Sequence, residues 1–163
     1  MLDNINLVKP GLALVFIGLF FGLYMGILFG VNEDAVKGYI DNGIEANQAV
    51  HDKKSASKIW RYAQRSHFHA LGIAAFSLGL ILLINISTMK DKFKKLSSVL
   101  VGLGLFYPLG WFFMFLLAPS LGRSAAHHHW LTTTFTYIGV GGLVCGLLFI
   151  TANIFFGLIA NKK

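Results

Sequence analysis

Two short segments of this chain combine histidine with arginine, and they contain the side chains best suited to chemistry. The first segment is Arg65-Ser66-His67-Phe68-His69, and the second is Arg123-Ser124-Ala125-Ala126-His127-His128-His129. A neutral imidazole is a common ligand of metal ions and of heme iron, and a guanidinium pairs well with carboxylates such as the heme propionates. The combination therefore predicts a site for heme b or for another metal. The remaining histidine, His51, stands alone and needs no special role.

Four apolar stretches must position these segments. Of the 163 residues, 55% are hydrophobic and only 13% are charged, which is too apolar for a water-soluble domain of this size. The stretches lie at about 11–31, 68–86, 96–118 and 131–160; each has the length of a membrane-spanning helix and contains no Asp, Glu, Lys or Arg. We predict an all-α four-helix bundle in the lipid bilayer, forming a single domain over residues 1–163, with helices at about 11–31, 57–87, 96–118 and 128–160. Pro108 is predicted to kink the third helix.

A polar loop is predicted at about 32–57, within which residues 35–50 could form a surface helix. Its basic residues are offset by acidic ones, whereas the loop between the second and third helices is dense in lysine. Because lysine and arginine near helix ends favour the cytoplasmic side, both termini are predicted to be cytoplasmic, in a multi-pass protein of a bacterial inner membrane. This orientation places every histidine on the outer face.

Helical geometry distinguishes the histidines of the second helix, if its glycine-bearing side is taken as the side that packs inward. Arg65, Gly72 and Gly79 share one stripe, because seven residues return to within about 20° of the start. His69 lies about 60° from Gly72 around the helix, and His67 lies about 140° away. His69 is therefore the predicted inward ligand, with His67 as a weaker candidate and Arg65 as a partner for a propionate or another anion.

On the fourth helix the corresponding stripe contains Thr132, Phe135, Gly139, Gly146 and Asn153. Extended back by one turn it reaches His128, whereas His127 and His129 fall on either side. The second and fourth helices run parallel from the same face of the membrane, so His69 and His128 are predicted to meet at similar depth. The predicted site has these two residues at its core, His127 and His129 as further metal ligands, and Arg123 as a second anion partner.

The first helix carries a stripe of glycines at every fourth position: Gly18, Gly22, Gly26 and Gly30. Such a glycine zipper lets a second helix approach closely, because van der Waals contact between backbones drives helix association in lipid. The partner is either another helix of the same bundle, a second copy in a homo-oligomer, or a subunit of a larger membrane complex.

Two motifs in the first half of the chain carry a resemblance to a known family. They are Gly22-Leu23-Tyr24-Met25-Gly26 in the first helix and His67-Phe68-His69-Ala70-Leu71-Gly72 in the second. In these motifs the chain resembles small bacterial four-helix membrane proteins related to the N-terminal part of heme-copper oxidase subunit I. The resemblance implies a heme-associated role in electron transfer or beside an oxidase.

Two other functions are compatible with the same residues. A small transporter or a lipid- or anion-binding protein would use the basic outer mouth to attract its ligand, and a structural or assembly subunit would use the glycine stripe. The absence of acidic residues from the predicted spans argues against a cation pathway. The sequence contains no phosphate-binding loop, nucleophile elbow or zinc-protease motif, so a redox or non-catalytic subunit is expected rather than an enzyme. The net charge of +7 does not indicate nucleic acid, because the basic residues border the helices.

Overall fold

The computed structural model describes residues 5–161, and helices dominate this part of the chain. In chain order they are α1 (Ile5–Ala46), α2 (Ser55–Ile86), α3 (Asp91–Gly102), α4 (Phe106–Leu121), α5 (Arg123–His128) and α6 (Trp130–Phe156). Four helical segments are long and apolar enough to cross a membrane, namely α1, α2, α3 continued by α4, and α6. The predicted all-α architecture with four membrane helices is confirmed.

The third span, formed by α3 and α4, is the centre of the bundle. It contacts α1, α2 and α6, whereas α6 has few contacts with α2 and packs almost entirely against the third span. The bundle has two polar ends. We call the end that carries the six histidines the histidine end, and the end that carries the α2–α3 loop with Lys90, Lys92, Lys94 and Lys95 the lysine end.

The boundaries of α1 differ from the prediction. The helix does not end near residue 31 but bends at Asn32 (φ −143°, ψ 44°) and continues to Ala46. The helix considered possible at residues 35–50 is therefore largely present, but it continues the first span instead of standing apart in the loop. The extension forms because Val36 and Ile40, four residues apart, lie on one face and are buried in a cluster that includes Ile59. Burial of this apolar stripe offsets the cost of ordering the extension.

The third and fourth spans also depart from the predicted limits. The third begins at Asp91 and reaches Leu121, with a short 3-10 helix at Leu103–Leu105 separating α3 from α4. This interruption precedes Pro108, whose ring and missing N–H disfavour a regular α-helix there, in agreement with the predicted kink. The last span does not reach back to residue 128. His129 has extended backbone angles (φ −62°, ψ 139°) and separates α5 from α6, which ends at Phe156.

The glycine faces decide how the helices approach each other. On α1, Gly22 and Gly26 lie against α2 of the same chain, and Gly18 lies against Leu105 of the third span and Ala74 of α2. A Cβ at Gly30 would have no neighbour within 4 Å among the described residues. The inward glycine stripe predicted for α2 is wrong, because Gly72 and Gly79 are exposed. Alanine and serine take that role, and the buried face of α2 includes Ala63, Ser66, Ala70, Ala74 and Ser77.

On α6 the predicted inward stripe is confirmed: its buried residues include Thr132, Gly139, Gly146 and Asn153. Gly139 lies against the backbone of Tyr107 at the start of α4. The third and fourth spans are therefore in backbone contact at this level.

Candidate functional site

His67 lies between α2 and α1. Its Nδ1–H donates a hydrogen bond to the carbonyl of Gly22 (2.8 Å), and its ring lies edge-on to Phe29 at 5.8 Å. A Cβ at Gly26 would lie 2.8 Å from the imidazole Cε1, so the glycine makes the space that the ring occupies. His67 was predicted to be the weaker candidate because it lies away from the glycine side of α2, but that side is exposed and His67 points at the glycine stripe of α1.

His69, two residues later, faces α4 instead. Its ring centroid lies 5.0 Å from that of Tyr107 and 6.2 Å from that of Trp111, and the imidazole and indole planes differ by only 24°. Arg65, one turn earlier on α2, places its guanidinium carbon 4.7 Å from the centroid of the same indole, a cation–π contact. Within residues 5–161 the half-buried His69 makes no hydrogen bond.

A cavity of about 260 Å³ lies between α4 and α6 and is lined in part by these aromatic residues. Its walls are aromatic and hydroxyl-bearing: Tyr107, Trp111, Met114, His127, Thr132, Thr133, Thr136 and Tyr137. The hydroxyl of Thr132 donates to the carbonyl of Ala126 (2.8 Å) and that of Thr133 to backbone carbonyls one turn earlier. Thr136, Tyr107 and Tyr137 have no such partner among the described residues, so their hydroxyl groups are available to a ligand.

The three consecutive histidines have three different environments. The exposed His128 donates from Nδ1 to the carbonyl of Ser124 (2.9 Å), within its own short helix. His129 caps α6, its Nδ1 accepting from the backbone N–H of Leu131 (3.3 Å). Only His127 lines the cavity, and it has no hydrogen bond to a described residue.

The helix break at His129 explains this arrangement. If α6 were uninterrupted, His128 would lie on the same stripe as Thr132, as the sequence predicted. The extended backbone of His129 breaks the helix there, so α5 does not continue the helical periodicity of α6. The structure therefore places His127, not His128, in the wall of the cavity. The aromatic pair Tyr107 and Trp111 lines the same cavity and also contacts His69.

Arg123 is not at this cavity. Its guanidinium forms an ion pair with Asp52 (2.7 Å) and so links α5 to the connection between α1 and α2. Asp52 also accepts hydrogen bonds from the Ser55 hydroxyl and the Lys54 backbone N–H. These bonds, led by that of Ser55 and assisted by the charge of Arg123, hold the pKa of the Asp52 carboxyl below its ordinary value.

His51 has a structural partner that the sequence did not reveal. Its Nε2–H donates to the carbonyl of Pro119 (2.9 Å), near the end of α4, and its Nδ1 is buried without a hydrogen bond to any described residue. Together with the Asp52 ion pair, this bond fixes the α1–α2 connection over the end of α4 and the start of α5.

The predicted four-histidine metal set is not assembled. In the described range, no three His, Cys, Asp or Glu side chains lie together in a way that could hold a metal ion. The residues that the sequence reasoning missed are Tyr107, Trp111 and Thr136. The only sequence signal for the first two was their spacing of four, which places them on one face of α4 directly around Pro108.

Comparisons with protein-family models, with curated proteins and with solved structures find no match to this chain.

Proposed function

We propose that this integral membrane protein binds heme b at the histidine end, where His69 would hold it, and serves in electron transfer or beside an oxidase. One observation supports the proposal above the others. Within residues 5–161, four of the six histidines make hydrogen bonds with the backbone, and His69 and His127 make none. His69 contacts the aromatic pair, and His127 lines the cavity that the pair also lines. An imidazole without a hydrogen bond is available as a ligand, whereas a bonded one must first lose its partner.

The charge of Arg65 adds a second argument. The Arg65 side chain is exposed just before the apolar stretch of α2, and it forms no ion pair within residues 5–161. A cation at the edge of the apolar part of a membrane is stabilised when an anion joins it. Heme carries two propionates, which suit a guanidinium, and a large apolar ring, which suits the neighbouring aromatic side chains of Trp111 and Tyr107.

The residues themselves then have distinct tasks. His69 would hold the heme through its imidazole, Arg65 would pair with a propionate, and the aromatic pair would limit the access of water. His127 lines the cavity beside that pair and would contact a small molecule that enters it. Bound heme would supply one-electron redox chemistry.

The proposal is tested by the absorption spectrum and the heme content of protein purified in mild detergent. The wild type is expected to show a Soret band. His69→Ala should lose the band or change its reduced spectrum, while His128→Ala, the matched control for an exposed imidazole, should leave both unchanged. Arg65→Gln should keep the ligation but weaken heme binding by about ten- to a hundredfold, as expected for the loss of a charge-assisted bond.

Two results would refute the proposal. Wild-type protein that neither contains heme nor takes it up on titration would show that the site is not a heme site, and would favour the binding of a different anion by Arg65. Equal spectra for His69→Ala and the wild type would show that another residue ligates the iron.

A further inference from the structure

A second cavity, at the lysine end, is formed by the last turns of α2 and α6. It has a volume of about 310 Å³ and is lined by Leu83, Ile86, Ser87, Thr88, Asn153 and Ile154. The apolar walls and the polar base are segregated. Leu83, Ile86 and Ile154 belong to spans and are exposed on the outside of the bundle, where acyl chains lie, whereas Ser87 and Thr88 follow the end of α2.

The base of this cavity is ordered by hydrogen bonds. The buried Asn153 donates from Nδ2 to the carbonyl of Leu158 (3.1 Å) and accepts from the Thr88 hydroxyl over a long 3.4 Å. The backbone of the α2–α3 loop also pairs with the last described residues, through Lys90 N–H to the carbonyl of Ile159 (3.1 Å). The chain after α6 thus folds back along the cavity. The weakly held Thr88 hydroxyl is exposed and free to turn to a stronger acceptor.

The charge at this end is strongly positive. Lys90, Lys92 and Lys95 are exposed, and they follow the cavity residues Ser87 and Thr88 within a few positions of the chain. Asp91 is the single acidic residue between Asp52 and the last described residue. Lys94 is buried and already committed, because its Nζ donates to the carbonyl of Asn85 (2.9 Å). The three exposed ammonium groups therefore have a net excess of charge over the one carboxylate near them.

We propose that this cavity binds one anionic phospholipid, with an acyl chain along Leu83, Ile86 and Ile154 and the phosphate at Thr88 and Lys90. The cavity leads from apolar side chains of the spans to the Thr88 hydroxyl, next to Lys90 in the chain. This order of groups matches that of a lipid, from acyl chain to headgroup. Basic clefts between membrane helices bind acidic headgroups for the same reason. A second protein copy would bring its own lysine cluster to this end, and like charges would oppose that contact. The lipid site is independent of the heme proposal, because it lies at the opposite end of the bundle.

The experiment is native mass spectrometry of the detergent-purified full chain after addition of phosphatidylglycerol or, in parallel, of phosphatidylcholine with the same acyl chains. One phosphatidylglycerol should stay bound at concentrations where phosphatidylcholine does not. Lys90→Gln should weaken that binding about fivefold, which is the effect of one lysine near an anionic lipid. Lys53→Gln, an exposed lysine at the histidine end, is the matched control and should bind like the wild type.

A variant of the cavity itself separates a lipid from a free anion. Thr88→Trp should fill the cavity and displace the lipid while leaving the unfolding temperature close to that of the wild type, because Thr88 is exposed. Equal retention of the two lipids, or an equal loss of binding in Lys53→Gln, would overturn the proposal. Full displacement of the lipid by millimolar inorganic phosphate would also overturn it, since the acyl chain would then contribute nothing.

Discussion

Gly139 allows α6 to touch α4 at the level of the histidine-end cavity, and replacing it with alanine is expected to force the two helices apart. A Cβ at this position would lie 2.8 Å from Cα and 2.9 Å from Cβ of Tyr107, with the Tyr107 backbone nitrogen closer still. Carbon atoms in good contact are about 3.5 to 4.0 Å apart, so the helix pair must separate by roughly 1 Å. The atoms in the way are mainly backbone, which cannot be relieved by a change of rotamer.

The expected cost is about 1 to 3 kcal/mol of the free energy of unfolding, the usual range for an overpacked interior. Gly141 provides a matched control on the same helix, two residues away. It is exposed, and a Cβ there would have no neighbour within 4 Å. Gly141→Ala should therefore be neutral or stabilise the helix by up to about 1 kcal/mol, because alanine loses less backbone entropy than glycine.

Both variants are measured by unfolding in mixed detergent micelles, followed by tryptophan fluorescence, with the wild type alongside. Gly139→Ala should unfold at a clearly lower denaturant fraction than Gly141→Ala. It should also disturb any ligand bound at the histidine end, because Tyr107 is displaced. If the two alanine variants had equal stability, the close approach of α4 and α6 at Tyr107 would be refuted.

Three further predictions concern the rest of the bundle. Folding lowers the pKa of the Asp52 carboxyl, so its ionised form should stabilise the protein above about pH 4, the ordinary range of Asp, and this stability should be lost as the pH falls toward the folded pKa. Asp52→Asn should remove this acid-dependent part of the unfolding temperature, and a pH profile equal to that of the wild type would contradict the prediction. Lys94→Met should destabilise the protein by about 1 to 3 kcal/mol in detergent unfolding, since a buried carbonyl loses its donor, whereas the exposed Lys95→Met should change stability by less than about 0.5 kcal/mol. A topology reporter at Lys92 should read cytoplasmic and one near Gln48 external, and the reverse pattern would show that lysine density does not orient this chain.

Sequence alone determined the membrane class and the number of spans. Hydrophobicity is a local property, and a run of about 20 apolar residues has few alternatives to a helix in lipid. The inward stripe of α6 and the irregularity before Pro108 were likewise readable, because each depends on residues close together in the chain. The limits of α1 were not, since its extension past Asn32 depends on burial of Val36 and Ile40 against α2.

The direction of the histidines was decided by tertiary packing. On α2 the assumption that glycine marks the buried face failed, because Ala70 and Ala74 are small enough to pack inward and the membrane tolerates exposed Gly72. As a result, His67 lies in the contact with α1, and His69 faces α4.

The second cluster shows the same limit. His129 has extended backbone angles, so α6 begins after it, and His127 instead of His128 lies in the cavity wall. No local sequence pattern predicted this helix break. Which histidines share a site depends on how helices distant in sequence rotate and meet. Side-chain volumes across their interfaces set that rotation, so only the folded bundle could bring His69 and His127 to the same two aromatic residues, Tyr107 and Trp111.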